Sequence, residues 1–205
     1  VQAEWGFAPA QISTLDAARY KDTDQNWAVN DGYGALVQKV AAGVPVSLNT
    51  TVTQVILTGD GVRIVTDRGT IDARTAIVAV STNVLARQLI DFQPGLPDWK
   101  LAAAAAVPLG SDNKVVLQID SRTIGIDEHC SVRIPYPGAP WFNIQMRPFG
   151  RDIASIYMGG PLCAELEAAG PDAQIAAGVE AMKSAFGANV DKQIGVKAAS
   201  AWGRE

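Results

Sequence analysis

The strongest constraint on the fold is a run of β-rich segments between residues 46 and 80, separated by glycine turns. Val52–Leu57 is β-branched and apolar, and the turn sequence Thr58–Gly61 follows it. From Val62 to Thr66, residues 62, 64 and 66 alternate with Arg63 and Val65, a pattern that predicts a strand with one buried face. The two segments together predict an antiparallel pair of strands.

A third segment, Ile71–Val80, begins after a second turn signal at Asp67–Gly69. Its end, Ala76–Val80, is continuously apolar. Strands that are apolar on both faces are usually covered on both sides, as in parallel sheets. We therefore expect two antiparallel strands followed by a buried parallel strand.

The rest of the chain mixes helices and strands without a regular βαβ alternation. The predicted fold class is therefore α+β, or mixed α/β. Periodicity and caps predict helices over 14–20, 33–40, 83–90, 98–106 and 171–186, the last with an apolar stripe of Ile175, Val179, Met182 and Phe186. Further strands are predicted over 113–120, 131–134, 141–146, 153–158 and 194–201, while two prolines predict an irregular Phe92–Pro97.

Composition excludes several classes of protein. The 205 residues are 48% hydrophobic and 19% charged, which excludes intrinsic disorder. A membrane helix needs about 20 apolar residues, and the longest run, Leu101–Leu109, has nine. The net charge is −4 and no basic cluster is present, so we expect neither a membrane segment nor a nucleic-acid partner. With no export signal, the default localisation is cytoplasmic.

Few residues have the type and spacing of a known metal site, catalytic triad, disulfide framework or nucleotide-binding motif. His129 is the single histidine, which excludes a multi-histidine metal site and argues against a Ser-His-Asp triad, so no metal is predicted. Cys130 and Cys163 are too few for a disulfide framework, and their pairing stays open. Gly32 and Gly34 lack the third glycine of a dinucleotide fingerprint, because Val37 occupies its place.

Lys114 and a set of aromatic residues each allow two interpretations. Lys114 opens a strand on the face shared with Val116 and Gln118, where it is either an edge lysine in water or a lysine beside a cofactor. The aromatic set contains Trp141, Phe142, Tyr157 and Trp202. These residues either pack in the core or line a pocket for an apolar ligand.

Six stretches of the chain form a recognisable series: Trp27–Leu36 (WAVNDGYGAL), Val46–Val55 (VSLNTTVTQV), Thr70–Leu85 (TIDARTAIVAVSTNVL), Phe92–Lys100 (FQPGLPDWK), Pro108–Leu117 (PLGSDNKVVL) and Ala201–Glu205 (AWGRE). In this order and at this spacing they resemble the FAD-dependent amine oxidases, the family of monoamine and polyamine oxidases and flavin-dependent histone lysine demethylases. The resemblance covers about residues 27–205.

The resemblance implies roles for individual residues. Lys114 matches the lysine that holds a water against flavin N5, and Trp202 matches a tryptophan near the isoalloxazine ring. Val52 matches the residue whose backbone contacts the adenine of FAD. Val80 and Ser81 match a strand end near the adenosine, although the family usually has proline in place of Ser81.

The substrate cavity of the family is lined partly by strands like 141–146 and 153–158. The resemblance therefore implies a substrate pocket with Trp141, Phe142 and Tyr157 in its wall.

The same resemblance implies a division into three segments. Residues 1–29 match the end of a first substrate-domain segment, 30–95 part of the FAD-binding domain, and 96–205 a second substrate-domain segment with a mixed sheet flanked by helices. The family's N-terminal GxGxxG strand and its C-terminal segment over the flavin are both outside these residues. We therefore expect the middle of a flavoenzyme, which alone is inactive and binds FAD weakly or not at all.

In the full-length protein, the resemblance implies oxidation of an amine to an imine, with FAD as hydride acceptor and O2 as reoxidant. A related FAD oxidoreductase acting on a porphyrinogen or carotenoid precursor is an alternative within the same framework. A non-catalytic α+β module that binds a ligand or a protein is an alternative from another class. A severed domain is also expected to associate with itself through its exposed interface.

Overall fold

A computed structural model of the chain describes residues 5–23, 25 and 27–203, without the side chains of residues 139 and 140. In chain order its helices are α1 (Thr14–Arg19), α2 (Tyr33–Val40), α3 (Thr82–Ala86), α4 (Asp98–Ala106), α5 (Ser121–Ile124), α6 (Pro161–Ala169) and α7 (Pro171–Phe186). Its strands are β1 (Val52–Leu57), β2 (Val62–Thr66), β3 (Gly69–Ala73), β4 (Asp91–Gln93), β5 (Asp112–Ile119), β6 (Ser131–Tyr136), β7 (Ala139–Met146), β8 (Ile153–Gly159) and β9 (Ile194–Ala199). Short 3-10 turns lie at Pro9–Gln11, Pro148–Gly150 and Ala188–Gln193. This mixture confirms the predicted α+β class.

The strands form two sheets. One sheet has four strands in the order β3-β2-β1-β4, in which β1, β2 and β3 are antiparallel and β4 is parallel to β1. The other has five antiparallel strands in the order β6-β7-β8-β5-β9. The turns at Thr58–Gly61 and Asp67–Gly69 connect β1, β2 and β3, as their sequence predicts.

The predicted parallel strand over Ile71–Val80 is wrong, since residues 71–73 belong to the antiparallel strand β3. Residues 76–80 pair with no strand in the described part of the chain, and the Ile77 side chain is 95% exposed. A strand is held by hydrogen bonds to a neighbour, so an apolar segment without one does not join a sheet.

The parallel pairing involves β4 instead, within the segment that was predicted to be irregular. Phe92 lies opposite Val55, with Asp91 and Gln93 opposite Gln54 and Ile56. Pro94 follows directly, and its lack of an N–H ends the ladder. The prediction of an irregular segment is therefore wrong for its first two residues.

The described residues divide into two compact units, one of residues 31–109 and one of residues 5–30 with 110–203. The four-stranded sheet lies in the first unit, over a small core of Val55, Val62 and Ile90. The five-stranded sheet lies in the second. Helix α4 belongs to the first unit, whereas the sequence-based division placed residues 96–109 with the later segment.

Alternation along β5 builds the larger core. Val115, Leu117 and Ile119 are buried on one face of the sheet, where they pack with buried residues of β7, β8 and helix α7. Lys114 and Gln118 point to the opposite face and are exposed. This two-residue period agrees with the sequence pattern.

Helix α7 packs closely because small residues face the sheet. It buries Ala177, Gly178 and Ala181 together with Met182, while the other three members of the predicted stripe are only half-buried. A Cβ added to Gly178 would lie 2.8 Å from Cγ1 of Val115. The glycine therefore sets the distance between the helix and β5.

We predict that Gly178→Ala destabilises the protein by about 1–3 kcal/mol, because Val115 is stiff at χ1 and fully buried. Helix propensity alone would change stability in the opposite direction, by about 1 kcal/mol. Urea unfolding measures the difference, and Ser184→Ala on the exposed side of α7 is the control. A stabilised Gly178→Ala variant would contradict the packing argument.

Candidate functional site on the five-stranded sheet

A row of polar and aromatic side chains crosses the sheet on the face opposite the helices. Arg133 pairs with Asn143, Asn143 with Tyr157, and Tyr157 with Lys114, on four neighbouring strands. Directly paired residues in an antiparallel sheet point to the same face. These four residues with Trp141 are called the Lys114 face below.

Lys114 lies between two aromatic rings. Its Nζ is 5.8 Å from the ring centroid of Tyr157 and 5.9 Å from that of Trp202, and the Trp202 side chain is itself exposed. Within the described residues its ammonium group has no ion pair or hydrogen bond. An ammonium carries three N–H donors, so this one is free to hold a water or a ligand.

The structure separates the predicted pocket residues. Trp141 lies on the Lys114 face, with Cζ of Arg133 at 5.9 Å from its ring. Phe142 is buried on the opposite face, where its ring stacks on Tyr136 at 4.0 Å. The alternation of β7 therefore brings Trp141 and Tyr157 to one face and directs Phe142 into the core.

Asp112, two residues before Lys114, is an acid that the sequence analysis missed. Burial raises the pKa of its carboxyl group to about 6, against a smaller lowering by a hydrogen bond with Tyr157. Its Oδ1 is buried without a hydrogen-bond partner among the described residues. Burial, with Asp112 nearby, raises the pKa of Tyr157 to about 12, so this phenol stays protonated as a hydrogen-bond donor.

Asn113 and Glu167 were also missed, and both are buried and hydrogen-bonded to each other. Asn113 had a signal in the sequence, since it stands on the same side of β5 as Val115 and Leu117. A polar residue at a buried position requires a buried partner. Glu167 had no such signal.

The residues assigned to the adenosine part of FAD lie in the unit of residues 31–109. Val52 begins β1, where the pairing with β2 is irregular between Val52 and Gln54. Val80 is 39% exposed. Ser81 caps helix α3, its Oγ accepting the backbone N–H of Val84 at 3.4 Å.

The cysteines, the metal-binding side chains and the helices are the groups that could form a disulfide, a metal site or a membrane span. Cys130 and Cys163 are both free thiols. No group of three metal-binding side chains occurs in the described part of the chain. None of the described helices combines the length and apolarity needed to cross a membrane.

A family comparison identifies the protein class. The model of the flavin-containing amine oxidoreductases matches residues 9–201, nearly the whole chain. The chain belongs to this family.

Its similar relatives include polyamine oxidases. Polyamine oxidase 4 of Oryza sativa subsp. japonica is 32% identical over 114 residues, which are 52% of this chain and 23% of the rice protein. The lysine-specific histone demethylase 1B of Mus musculus is 31% identical over 102 residues, 47% of this chain and 12% of the mouse protein. The matches thus cover about a quarter or less of each relative.

Solved structures share the fold. Wild-type putrescine oxidase bound to putrescine superposes with a TM-score of 0.66 at 18% identity, over 85% of this chain and 39% of the other. Cyclohexylamine oxidase from Brevibacterium oxydans IH-35A gives a TM-score of 0.60 at 18% identity, with the same coverage. The chain therefore corresponds to less than half of each of these proteins.

We predict that Asp112→Asn stabilises the protein by about 1 kcal/mol near pH 8, a value discounted for partial exposure. Because the pKa of Asp112 rises from 3.8 to about 6 on folding, its contribution to stability is complete only below pH 3.8 and is lost as the pH rises through about 6. The gain should therefore disappear near pH 3.

Urea unfolding at both pH values measures the change in stability. The control is Asp127→Asn, a substitution at an exposed loop residue. An equal effect of Asp112→Asn at the two pH values would show that charge burial is not the cause.

Proposed function

We propose that this chain supplies the substrate-facing sheet of an FAD-dependent oxidase, which converts the C–N bond of an amine to an imine and uses O2 as reoxidant. Membership of the flavin-containing amine oxidoreductases supports the cofactor and the reaction class. The single observation that carries the proposal in this chain is the Lys114 ammonium, which lies between the Tyr157 and Trp202 rings and has no ion pair among the described residues.

The residues present fit a flavin in two respects. The flat rings beside Lys114 and its free N–H donors are complementary to a planar, hydrogen-bonding ring system. In the other unit, the irregular ladder at Val52 interrupts regular backbone pairing, which leaves backbone groups for a ligand. Val80 and Ser81 at the start of α3 are the further residues proposed to approach the adenosine.

The chemistry that FAD supplies when bound is acceptance of a hydride equivalent from the carbon next to the amine nitrogen. Lys114 holds a water molecule through its ammonium group, and its charge stabilises negative charge that develops nearby. Tyr157 and Trp141 provide the aromatic wall that orients an apolar part of the substrate. Phe142 is buried on the other face of the sheet, so it does not contact the substrate and stabilises the strand that carries Trp141.

Charge on the Lys114 face favours the reactive form of the substrate. Arg133, Lys114 and the Asp112 carboxyl group all lie on it, so two positive charges stand against one acid, and a net positive charge disfavours a protonated amine. Oxidation requires the neutral amine, so the face lowers the cost of losing that proton. The name of the relative polyamine oxidase 4 supports a polyamine as the amine substrate.

We predict that Lys114→Met in the full-length enzyme slows flavin reoxidation by O2 at least about tenfold, because the substitution removes the charge and the N–H donors. Stopped-flow mixing of the reduced enzyme with O2 measures this rate. The control is Lys197→Met, which removes an exposed lysine from the neighbouring strand β9.

If Lys114→Met leaves both the oxygen reaction and steady-state turnover unchanged, Lys114 has no role in catalysis. If Lys197→Met slows the reaction equally, the effect comes from net charge alone.

We predict that the 205-residue chain alone is inactive and does not perturb the visible absorption of added FAD, whereas the full-length protein does. Residues 31–109 and Lys114 supply only part of the contacts that a dinucleotide needs, and its pyrophosphate normally binds a glycine-rich turn. Titration of FAD into each protein measures the difference. A perturbed flavin band with the isolated chain would show that these residues suffice.

A full-length protein without flavin would instead favour the non-catalytic ligand-binding or protein-binding module. Oxidation of a porphyrinogen or a carotenoid precursor without amine turnover would favour the related FAD oxidoreductases.

A further inference from the structure

A buried polar network lies behind Lys114 and Trp202, on the helix-covered face of the sheet. Asn113 is fully buried on β5, and Glu167 on helix α6 is 5% exposed. Asn113 Nδ2 donates to Glu167 Oε2 at 2.5 Å. Burying a carboxyl group costs free energy unless its oxygens accept hydrogen bonds. The hydrogen bonds of Glu167 therefore account for its burial.

The network fastens the turn that follows β9. Asn113 Oδ1 accepts the Ser200 hydroxyl at 2.9 Å and the backbone N–H of Trp202 at 3.0 Å. Glu167 Oε2 accepts the backbone N–H of Gly203 at 3.1 Å. Two buried side chains therefore bind three residues of one short turn, Ser200, Trp202 and Gly203.

The same turn is tied directly to Lys114. The Lys114 backbone N–H donates to Ser200 Oγ at 2.8 Å, and the Ser200 N–H donates to the Lys114 carbonyl at 2.9 Å. Strand β9 ends at Ala199, so the regular ladder does not extend to Trp202. Beyond the end of β9, the hydrogen bonds of Asn113 and Glu167 hold the backbone in place of the strand pairing.

The turn approaches Glu167 too closely at Gly203 for a side chain to fit. A Cβ added to Gly203 would lie 2.9 Å from Glu167 Oε2 and 3.0 Å from Oε1. The glycine thus lets the backbone of the turn approach the carboxylate. Hydrogen bonds are directional, so a buried network of this kind fixes one conformation of the turn more strictly than apolar packing would.

We propose that Asn113 and Glu167 are positioning residues, which hold the indole ring of Trp202 beside the Lys114 ammonium on the opposite face of the sheet. The effect on catalysis rests on the proposed function, whereas the placement of Trp202 does not. Loss of either side chain frees the turn while Lys114 stays on β5.

The experiment uses the full-length protein labelled with fluorotryptophan and studied by fluorine NMR. Trp202→Phe assigns the Trp202 resonance. Asn113→Ala and Glu167→Ala remove the network, while Glu167→Gln keeps an oxygen that can accept both N–H groups. Ser200→Ala is the milder variant if the buried substitutions do not fold, because it removes one half-buried hydroxyl group, which donates to Asn113 Oδ1 and accepts the Lys114 backbone N–H.

Ser121→Ala is the matched control for stability. Ser121 is 7% exposed, follows the other end of β5 and donates to Asp152. Its loss should lower the melting temperature without moving the Trp202 resonance or the kinetics.

We expect the Trp202 resonance of Asn113→Ala and Glu167→Ala to shift towards that of free fluorotryptophan, and Glu167→Gln to leave it in place. We expect kcat/KM for an amine to fall about tenfold in the two alanine variants, as for a misplaced active-site group. Ser200→Ala should shift the resonance in the same direction.

An unmoved Trp202 resonance in folded Asn113→Ala or Ser200→Ala overturns the proposal. A shift in Ser121→Ala as large as in Asn113→Ala also overturns it, since the effect would then be general. If the resonance moves as expected but the wild type oxidises no amine, the positioning role stands and the proposed function fails.

Discussion

The two-residue alternation of β5 is the constraint on which the candidate site depends. Val115, Leu117 and Ile119 must be buried under the helices, and this requirement fixes the register of the strand. A slip of one residue would bury Lys114 and expose the core, at a cost of several kcal/mol. Tyr157 then lies beside Lys114, because the pairing of β8 with β5 follows from the same register.

Three consecutive residues of β5 have three different electrostatic environments. Asp112 is half-buried with a raised pKa, Asn113 is fully buried in a polar network, and Lys114 is exposed between two rings. The pleat of the strand separates the faces, and helix α6 supplies the buried partner Glu167. One short segment thus combines a titratable acid, a structural anchor and an exposed cation.

In the unit of residues 31–109, local sequence patterns predicted where strands β1, β2 and β3 lie, but they did not predict which segment pairs in parallel with β1. The β1–β2–β3 hairpins follow from alternation and glycine turns, which are local signals. The apolar Ala76–Val80 segment has the composition of a parallel strand but no partner among the described residues. The short β4 takes the parallel position next to β1, through a long-range pairing that no local pattern encodes.

The sequence by itself determined the α+β class, helices α2, α4 and α7, the strands of the larger sheet and the family resemblance. These depend on periodicity, caps and residue order, which act over a few residues. Only the tertiary structure decided that Phe142 lies in the core, that Asp112 contacts Tyr157, and that Glu167 reaches Asn113 from 54 residues away. Burial and hydrogen bonding between distant segments depend on how the elements pack, and packing is a property of the whole fold.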